Sequence, residues 1–551
     1  MWSQVYDPFH NMILSAAVAS APVLVLLGAI GIFEVRAHIA AILGLAAALA
    51  VATIAYGMPP QMAGMAAVYG AAFGLLPIGW IILNVIFLYQ LASAKGEFDV
   101  LQRSIGAVSS DRRLQLLFIA FSLGSFFEGA AGFGTPVAVT AAMLIGLGFS
   151  PLSASGLSLI ANTAPVAFGA LGTPVVALAA VSGLDLHDLS AMIGRQLTPF
   201  SILVPFWLVW AFVGWRKMLE VWPPILVAGV AFAIPQFLVS NFHGPWLVNI
   251  VAAISSMSCL ALFLRIWQPA HPMTEVPGEK KGGTARDTTA AVAPQDSFIA
   301  VRRAWTPWVI LATFVFLWGV PQVRAALDGL WLLKLPIFGL NDLVQKMPPV
   351  TPAPHPESAI YNLNVLSATG TGILVAAIVS GFYLGYGATG LVRMYGRAIY
   401  SVRFSLLTIS CMMAVGFITR YSGTDATLGL ALASTGSAYP FFGTLIGWLG
   451  VAVTGSDTSS NVLFGGLQRV TAEQLGINPL LMVAANSSGG VMGKMIDAQS
   501  LVVASTATRW YGHEGAILRF VFFHSIALAV LVGLLVLGQA TVWPLTLTVL
   551  K

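Results

Sequence analysis

Charge is scarce in this sequence. Only 9% of its 551 residues are Asp, Glu, Lys or Arg, against 58% that are hydrophobic. A soluble globular domain carries about 25% charged residues. A chain this poor in charge cannot cover itself in water, so lipid must solvate most of its surface. Cysteine is nearly absent as well: Cys259 and Cys411 each lie inside an apolar run, which argues against a disulfide framework or a cysteine metal site. None of the eight histidines has a partner at metal-ligand spacing, and His513-Glu514 lacks the second His of a zincin. The period-2 alternation of an outer-membrane barrel is missing. The start, MWSQVYDPFHNM, has no basic stretch of a cleaved signal peptide, and the first apolar run is long enough to stay as a helix. The net charge of +5 is spread through short loops rather than massed on one face, which fits membrane topology and not nucleic-acid binding.

What is present are apolar runs of about 18 residues or more, the length that crosses a bilayer. Such runs form helices, because backbone groups in lipid must be satisfied within the segment. Spans are expected near 12–33, 37–56, 75–91, 114–127, 199–215, 222–240, 246–265, 304–320, 365–386, 404–418 and 517–538. With the broken regions between them, the expectation is an all-α polytopic membrane protein of about 12–14 membrane segments. Basic loops set its orientation. Arg36, the group Lys95, Arg103, Arg112 and Arg113, then Arg216–Lys217, Lys280–Arg303 and Arg393–Arg403 mark the cytoplasmic side. The N-terminus and the Pro-rich stretch 346–357 then fall outside.

Two regions repeat each other. KGEFD (95–99) matches SGTDA (422–426), with turn glycines Gly96 and Gly423 lying 327 residues apart. EGAAGFGTP (128–136) matches TGSDTSSN (454–461), and LIANTAPVAFGALGTP from Leu159 matches MVAANSSGGVMGKMI from Met482. The first copy enters from outside and the second from inside, so the copies are inverted. Inverted repeats with broken or re-entrant helices are the architecture of secondary transporters, with a site near the membrane midplane. The organisation expected is N-terminal helices 1–60, a first transport repeat 61–215, connecting helices 216–265, a cytoplasmic linker 266–303, connecting helices 304–390 with an external loop 324–363, and a second repeat 391–551.

Glycine and proline within apolar runs expose backbone groups that are tolerated only where they line a cavity or pack against protein. Helix N-termini at such breaks offer free N–H groups and a partial positive charge, which suit a carboxylate. Asn162-Thr163 and Asn486-Ser487-Ser488, together with Gly455, Ser456, Thr458 and Ser459, are therefore candidates to hold a small hydroxy acid. Close packing of small residues is the alternative reading. Lys494 can pair the substrate carboxylate or Asp497. Glu128 and Asp457 are candidates to carry a proton, since burial favours the neutral form of a carboxyl. Arg195 and Arg420 are accessory candidates, with snorkelling anchors as the alternative. GGVMGKM (489–495) fails as a phosphate loop, with Ser488 in place of the first Gly and Met495 in place of Ser/Thr. No enzyme, cofactor or metal is expected.

At these same motifs the sequence resembles the lactate permease family. The residues that carry the resemblance are EGAAGFGTPVA (128–138), ANTAPVAFGALGTP (161–174), GRQL (194–197), GWLGVAVTGSDTSSN (447–461) and AANSSGGVMGKMI (484–496), within a match running from YDP (6–8) to RF (519–520). The resemblance implies uptake of L-lactate, with D-lactate and glycolate, by proton symport across the bacterial inner membrane. One departure stands out: the family often reads Ser-Pro-Gln-Ser where this chain has Asp497-Ala498-Gln499-Ser500.

Overall fold

The computed structural model describes all residues except 32, 34, 98–99, 101–108, 131, 133, 275–296, 352, 511–512 and 551. Arg103, the end of the KGEFD turn, Phe133 and most of the linker with Lys280 lie outside the described residues. Among those described, 7 helices are long and apolar enough to cross a membrane, or 8 if the bent pair Pro151–Ala161 and Val166–Ser182 counts as one span. Four more apolar helices are shorter. The expected 12–14 segments are thus a mixture of full spans, short helices and broken ones, because glycine and proline interrupt the runs. Large apolar side chains face outward from these helices, with Ile54 84% and Phe523 76% exposed, so lipid is the only solvent that suits them.

Six helices of the first repeated region match six of the second and make two sets. The first comprises α1 (Trp80–Ala94), α2 (Gly124–Ala130), α3 (Thr135–Gly146), α4 (Pro151–Ala161), α5 (Gly169–Ser182) and α6 (Leu186–Leu219). The second comprises α7 (Ala388–Ser422), α8 (Tyr439–Thr454), α9 (Asp457–Leu475), α10 (Pro479–Gly493), α11 (Ala498–Ala507) and α12 (Glu514–Thr541). Equivalent turns share a backbone form. Gly96 and Gly423 have φ of +73° and +82°, and Gly148 and Gly476 have +88° and +67°. A left-handed glycine ends a helix without the Cβ penalty. After the second pair of turns, Ser150 and Asn478 cap α4 and α10 through their side chains, with Pro151 and Pro479 next in line.

The two sets point in opposite directions across the molecule. On one face, Arg113 gathers Asp111, Glu220 and the carbonyls of Lys217 and His271. Arg303 pairs with Glu97 at 2.8 Å, and Lys95 stands 4.7 Å over the Tyr386 ring. This is the basic face, and Gly96 and Gly148 lie on it, the latter beside Arg112. On the other face, β1 (Trp2–Ser3) pairs in parallel with β3 (Val344–Lys346), which pairs antiparallel with β4 (His355–Glu357). β2 (Leu333–Pro336) pairs with β5 (Ile360–Leu363). Gln4 donates to the carbonyls of Arg420 and Tyr421, next to Gly423, and Gln474 donates to Pro349 O. Gly423 and Gly476 therefore lie on the strand-bearing face, which makes the repeats inverted. The strands also amend the all-α expectation: 324–363 carries short sheets that fasten the N-terminus.

Glu357 is the ionic centre of that face. It pairs with Arg420 at 2.6 Å and Lys346 at 2.8 Å. Burial alone would raise its carboxyl, but the charges of Arg420 and Lys346 outweigh burial and hold it below the ordinary value. A depressed carboxyl stabilises the fold above its unfolded pKa and loses that contribution as pH falls. The melting temperature of purified protein is therefore expected to drop as pH falls below about 4.5. Glu357→Gln should lower stability at neutral pH by about 1–3 kcal/mol and remove this part of the acid sensitivity. An acid profile unchanged by Glu357→Gln would contradict the assignment.

Candidate functional site

Each repeat breaks where its Gly-rich motif lies. In the first, α2 ends just after Glu128, and Gly132 and Gly134 adopt φ of +58° and +81° before α3 begins. In the second, α8 ends at Thr454, Gly455 turns with φ +71°, and the Ser456 hydroxyl accepts from Ser459 N at 3.2 Å to start α9. The first N–H groups of α9 have no intrahelical acceptor. They carry the positive end of the helix dipole. A third break bends α4 and the α5 segment by 67°. Beyond that bend, inside the second segment, Ala170, Leu171 and Gly172 follow one another with φ of 41°, 54° and 77°, a left-handed run costing roughly 1–2 kcal/mol for each non-glycine residue. Gly169 just before it leaves room for Glu128, since a Cβ there would push the Glu128 carboxyl aside.

The three breaks meet around a cavity of about 220 Å³. Its buried part is formed by Glu128, Thr173, Gly455, Asp457 and Lys494, with the exposed Gln499 beside Gly455. From there it runs past Thr408 and Ser405 of α7 to His38 and Phe404, whose rings stack at 4.5 Å on the basic-face side. Lys494 Nζ donates to Gly455 O at 2.6 Å and stands 3.3 Å from Asp497 Oδ2. Asp457 Oδ2 accepts from Ser487 Oγ at 2.6 Å and from Asn461 Nδ2 at 3.2 Å, while its Oδ1 has no hydrogen-bond partner among the described residues. Glu128 Oε2 is likewise unpartnered. The Asn461 amide also reaches Pro174 O at 3.3 Å, tying α9 to α5 across the two repeats. A single ammonium, a helix N-terminus and the hydroxyls of Thr173, Thr458 and Ser459 can together receive a small carboxylate. Two buried carboxyls stand by with one oxygen each uncommitted.

Of the residues expected from sequence, Glu128, Gly455, Ser456, Asp457, Thr458, Ser459 and Lys494 line this cavity. Asn162, Thr163, Asn486, Ser487 and Ser488 do not. Nor do their motifs open helices: Asn162 caps the C-terminus of α4, and Asn486–Ser488 lie in the middle of α10. α10 runs unbroken because its glycines serve close packing against α8. A Cβ at Gly489 or Gly493 would strike the Thr444 or Trp448 carbonyl. Asn486 is bonded within the protein to Asn461 and Gln468, and Ser488 to Gln196. Ser487 acts behind Asp457. Asn162 is buried beside Glu128, its side-chain amide next to the Glu128 carboxyl, although neither amide atom makes a hydrogen bond of full geometry with the described residues.

Arg195 is bonded to Asn241 and Thr548 O, and Arg420 to Glu357 and Ala180 O, both away from the cavity. Asp497, the departure from the family pattern, both pairs Lys494 and caps α11 by accepting from Ser500 N at 2.7 Å. Sequence reasoning missed Thr173 and Gln499 as lining residues, although both sit in motifs it quoted. It had no signal for Ser405 and Thr408, which are hydroxyls inside an apolar run.

The family described as L-lactate permease matches residues 15–543 of the chain. The glycolate permease GlcA of Escherichia coli K12 is 43% identical over 551 residues, covering 98% of both chains. The L-lactate permease of the same strain is 43% identical over 549 residues, with the same coverage. That of Bacillus subtilis is 42% identical over 557 residues, again covering 98% of each. Among solved structures, the YdaH transporter of Alcanivorax borkumensis superposes with a TM-score of 0.43 at 15% identity, covering 86% of this chain and 88% of that one. The multi-pass helical fold, the paired breaks and the near full-length matches agree: the chain belongs to the L-lactate permease family.

Proposed function

We propose that this chain is a secondary carrier that takes up L-lactate, and with it D-lactate and glycolate, by symport with protons across the bacterial inner membrane. In this reading 61–215 and 391–551 are the transport repeats, and the N-terminus and the strand-bearing face are periplasmic. The observation that carries it is the cavity between the two broken repeats. There one cation, Lys494, meets the N-terminus of α9 beside two carboxyls, Glu128 and Asp457. The substrate carboxylate sits against Lys494 and the α9 N-terminus, and its 2-hydroxyl meets the hydroxyls of Thr173, Thr458 or Ser459. Glu128, with Asp457 as its companion, takes the proton. Relatives named for L-lactate and glycolate at 43% identity support the substrate class. The cavity leads to the basic face, so the structure resembles the state that releases substrate inward in an alternating-access cycle.

The test is counterflow. Liposomes holding purified protein and unlabelled L-lactate are diluted into a trace of labelled L-lactate. Saturable uptake inhibited by glycolate and D-lactate is expected. Flux that does not saturate, or inhibition equally strong by acetate, would point to a channel or to a general carboxylate carrier.

A further inference from the structure

A second cavity, of about 250 Å³, opens on the strand-bearing face. Arg324, Asn362 and Asn364 line it together with the rings of Tyr69, Tyr361 and Trp318. We propose that it is an outer vestibule with its own carboxylate-binding subsite, in which Arg324 captures the substrate before it reaches the central cavity. This rests on the reading of the protein as a carboxylate carrier.

The placement comes from α5. Thr173 and Pro174 line the central cavity and Val176 lines this one. Three residues of helix advance about 4.5 Å, so residues lining the two spaces lie less than one turn apart on α5. The buried apolar cluster of Ile78, Ile82, Ala177 and Met413 also takes in Ile409 and Met412, which line the central cavity, and Val176, which lines this one. Two cavities that share a helix and a buried apolar cluster are what an outer gate closed between them would leave.

The chemistry comes from which groups are already committed. Tyr69 OH donates to Ile360 O at 2.9 Å, Tyr361 OH to Leu76 O at 2.9 Å, and Trp318 Nε1 to Leu366 O at 3.0 Å. The rings are thereby fixed as walls with their polar ends spent. Asp328, one turn beyond Arg324, is occupied by the Ser367 hydroxyl. The Arg324 side chain makes no hydrogen bond or ion pair with the described residues, and it is the one charged group among the described residues lining the cavity. An exposed, uncommitted guanidinium at a cavity with aromatic walls and the Asn362 amide suits a small carboxylate that carries a further hydroxyl.

The experiment measures uptake of radiolabelled L-lactate by intact cells that hold matched amounts of wild type, Arg324→Gln or Arg324→Lys in the membrane. Arg324→Gln should raise KM about tenfold and leave the maximal rate nearly unchanged, since saturating substrate bypasses a capture step. Arg324→Lys should recover part of the loss. Added salt should raise the wild-type KM more than that of the Gln variant. An unchanged KM in Arg324→Gln, beside a wild type that transports, overturns the inference and leaves Arg324 a solvated or lipid-facing residue. A wild type that takes up no L-lactate overturns the carrier reading instead.

Discussion

Replacing Lys494 by methionine is expected to raise the KM for L-lactate by roughly 10- to 150-fold, because a buried hydrogen bond to a charged group contributes about 1.5–3 kcal/mol. Among the described residues Lys494 is the one Lys or Arg lining the central cavity, and it is 7% exposed. The complication is Asp497, its partner at 3.3 Å, which is fully buried. Leaving that carboxylate alone costs about 3–5 kcal/mol, so the single variant can lose activity by misfolding. The double variant Lys494→Met/Asp497→Asn separates the two effects. Asparagine still caps α11 at its first turn, and position 497 no longer carries an unpaired charge. The double variant should accumulate in the membrane at wild-type levels and still bind L-lactate weakly. Wild-type affinity in the double variant would show that the carboxylate is held elsewhere.

Glu128→Gln is expected to uncouple transport rather than abolish it. Glu128 is 5% exposed, lies against Gly169 and has one oxygen free of any bond to the described residues. Glutamine keeps the shape and cannot carry a proton. Exchange of L-lactate between equal pools needs no net proton movement and should persist, while accumulation driven by a pH gradient should disappear. If Glu128→Gln concentrates L-lactate with the wild-type dependence on pH, the proton travels on another group. Asp457, with Oδ1 equally free, is the next to replace.

Much of this arrangement can be read in the sequence, and the reason is local. Glycines at 96, 148, 423 and 476 end helices by turning left-handed, a conformation few other residues adopt. Matching spacings therefore translate directly into matching turns, and the basic loops assign those turns to opposite faces. Glu128, Asp457 and Lys494 stand out because charge within apolar sequence needs a cavity or a partner.

Other features depend on contacts that a sequence does not display. α6 begins at Leu186 rather than near 199 because Asp185 caps it and its polar first turns reach the face of the membrane. The Asn486-Ser487-Ser488 stretch looks like a break but is helix. Its small residues answer to the closeness of α8, which only the fold reveals. The α7 wall of the cavity has the same origin: Thr408 bonds its own helix at Phe404 O, as a hydroxyl does in any apolar span.

The most direct measurement is an experimental structure of the protein with bound L-lactate. The account predicts density for the anion in the central cavity, its carboxylate within hydrogen-bond distance of Lys494 Nζ and the first amides of α9, and its hydroxyl toward Thr173, Thr458 or Ser459. Density resting instead among Asn162, Asn486 and Ser488, with Lys494 untouched, would contradict it.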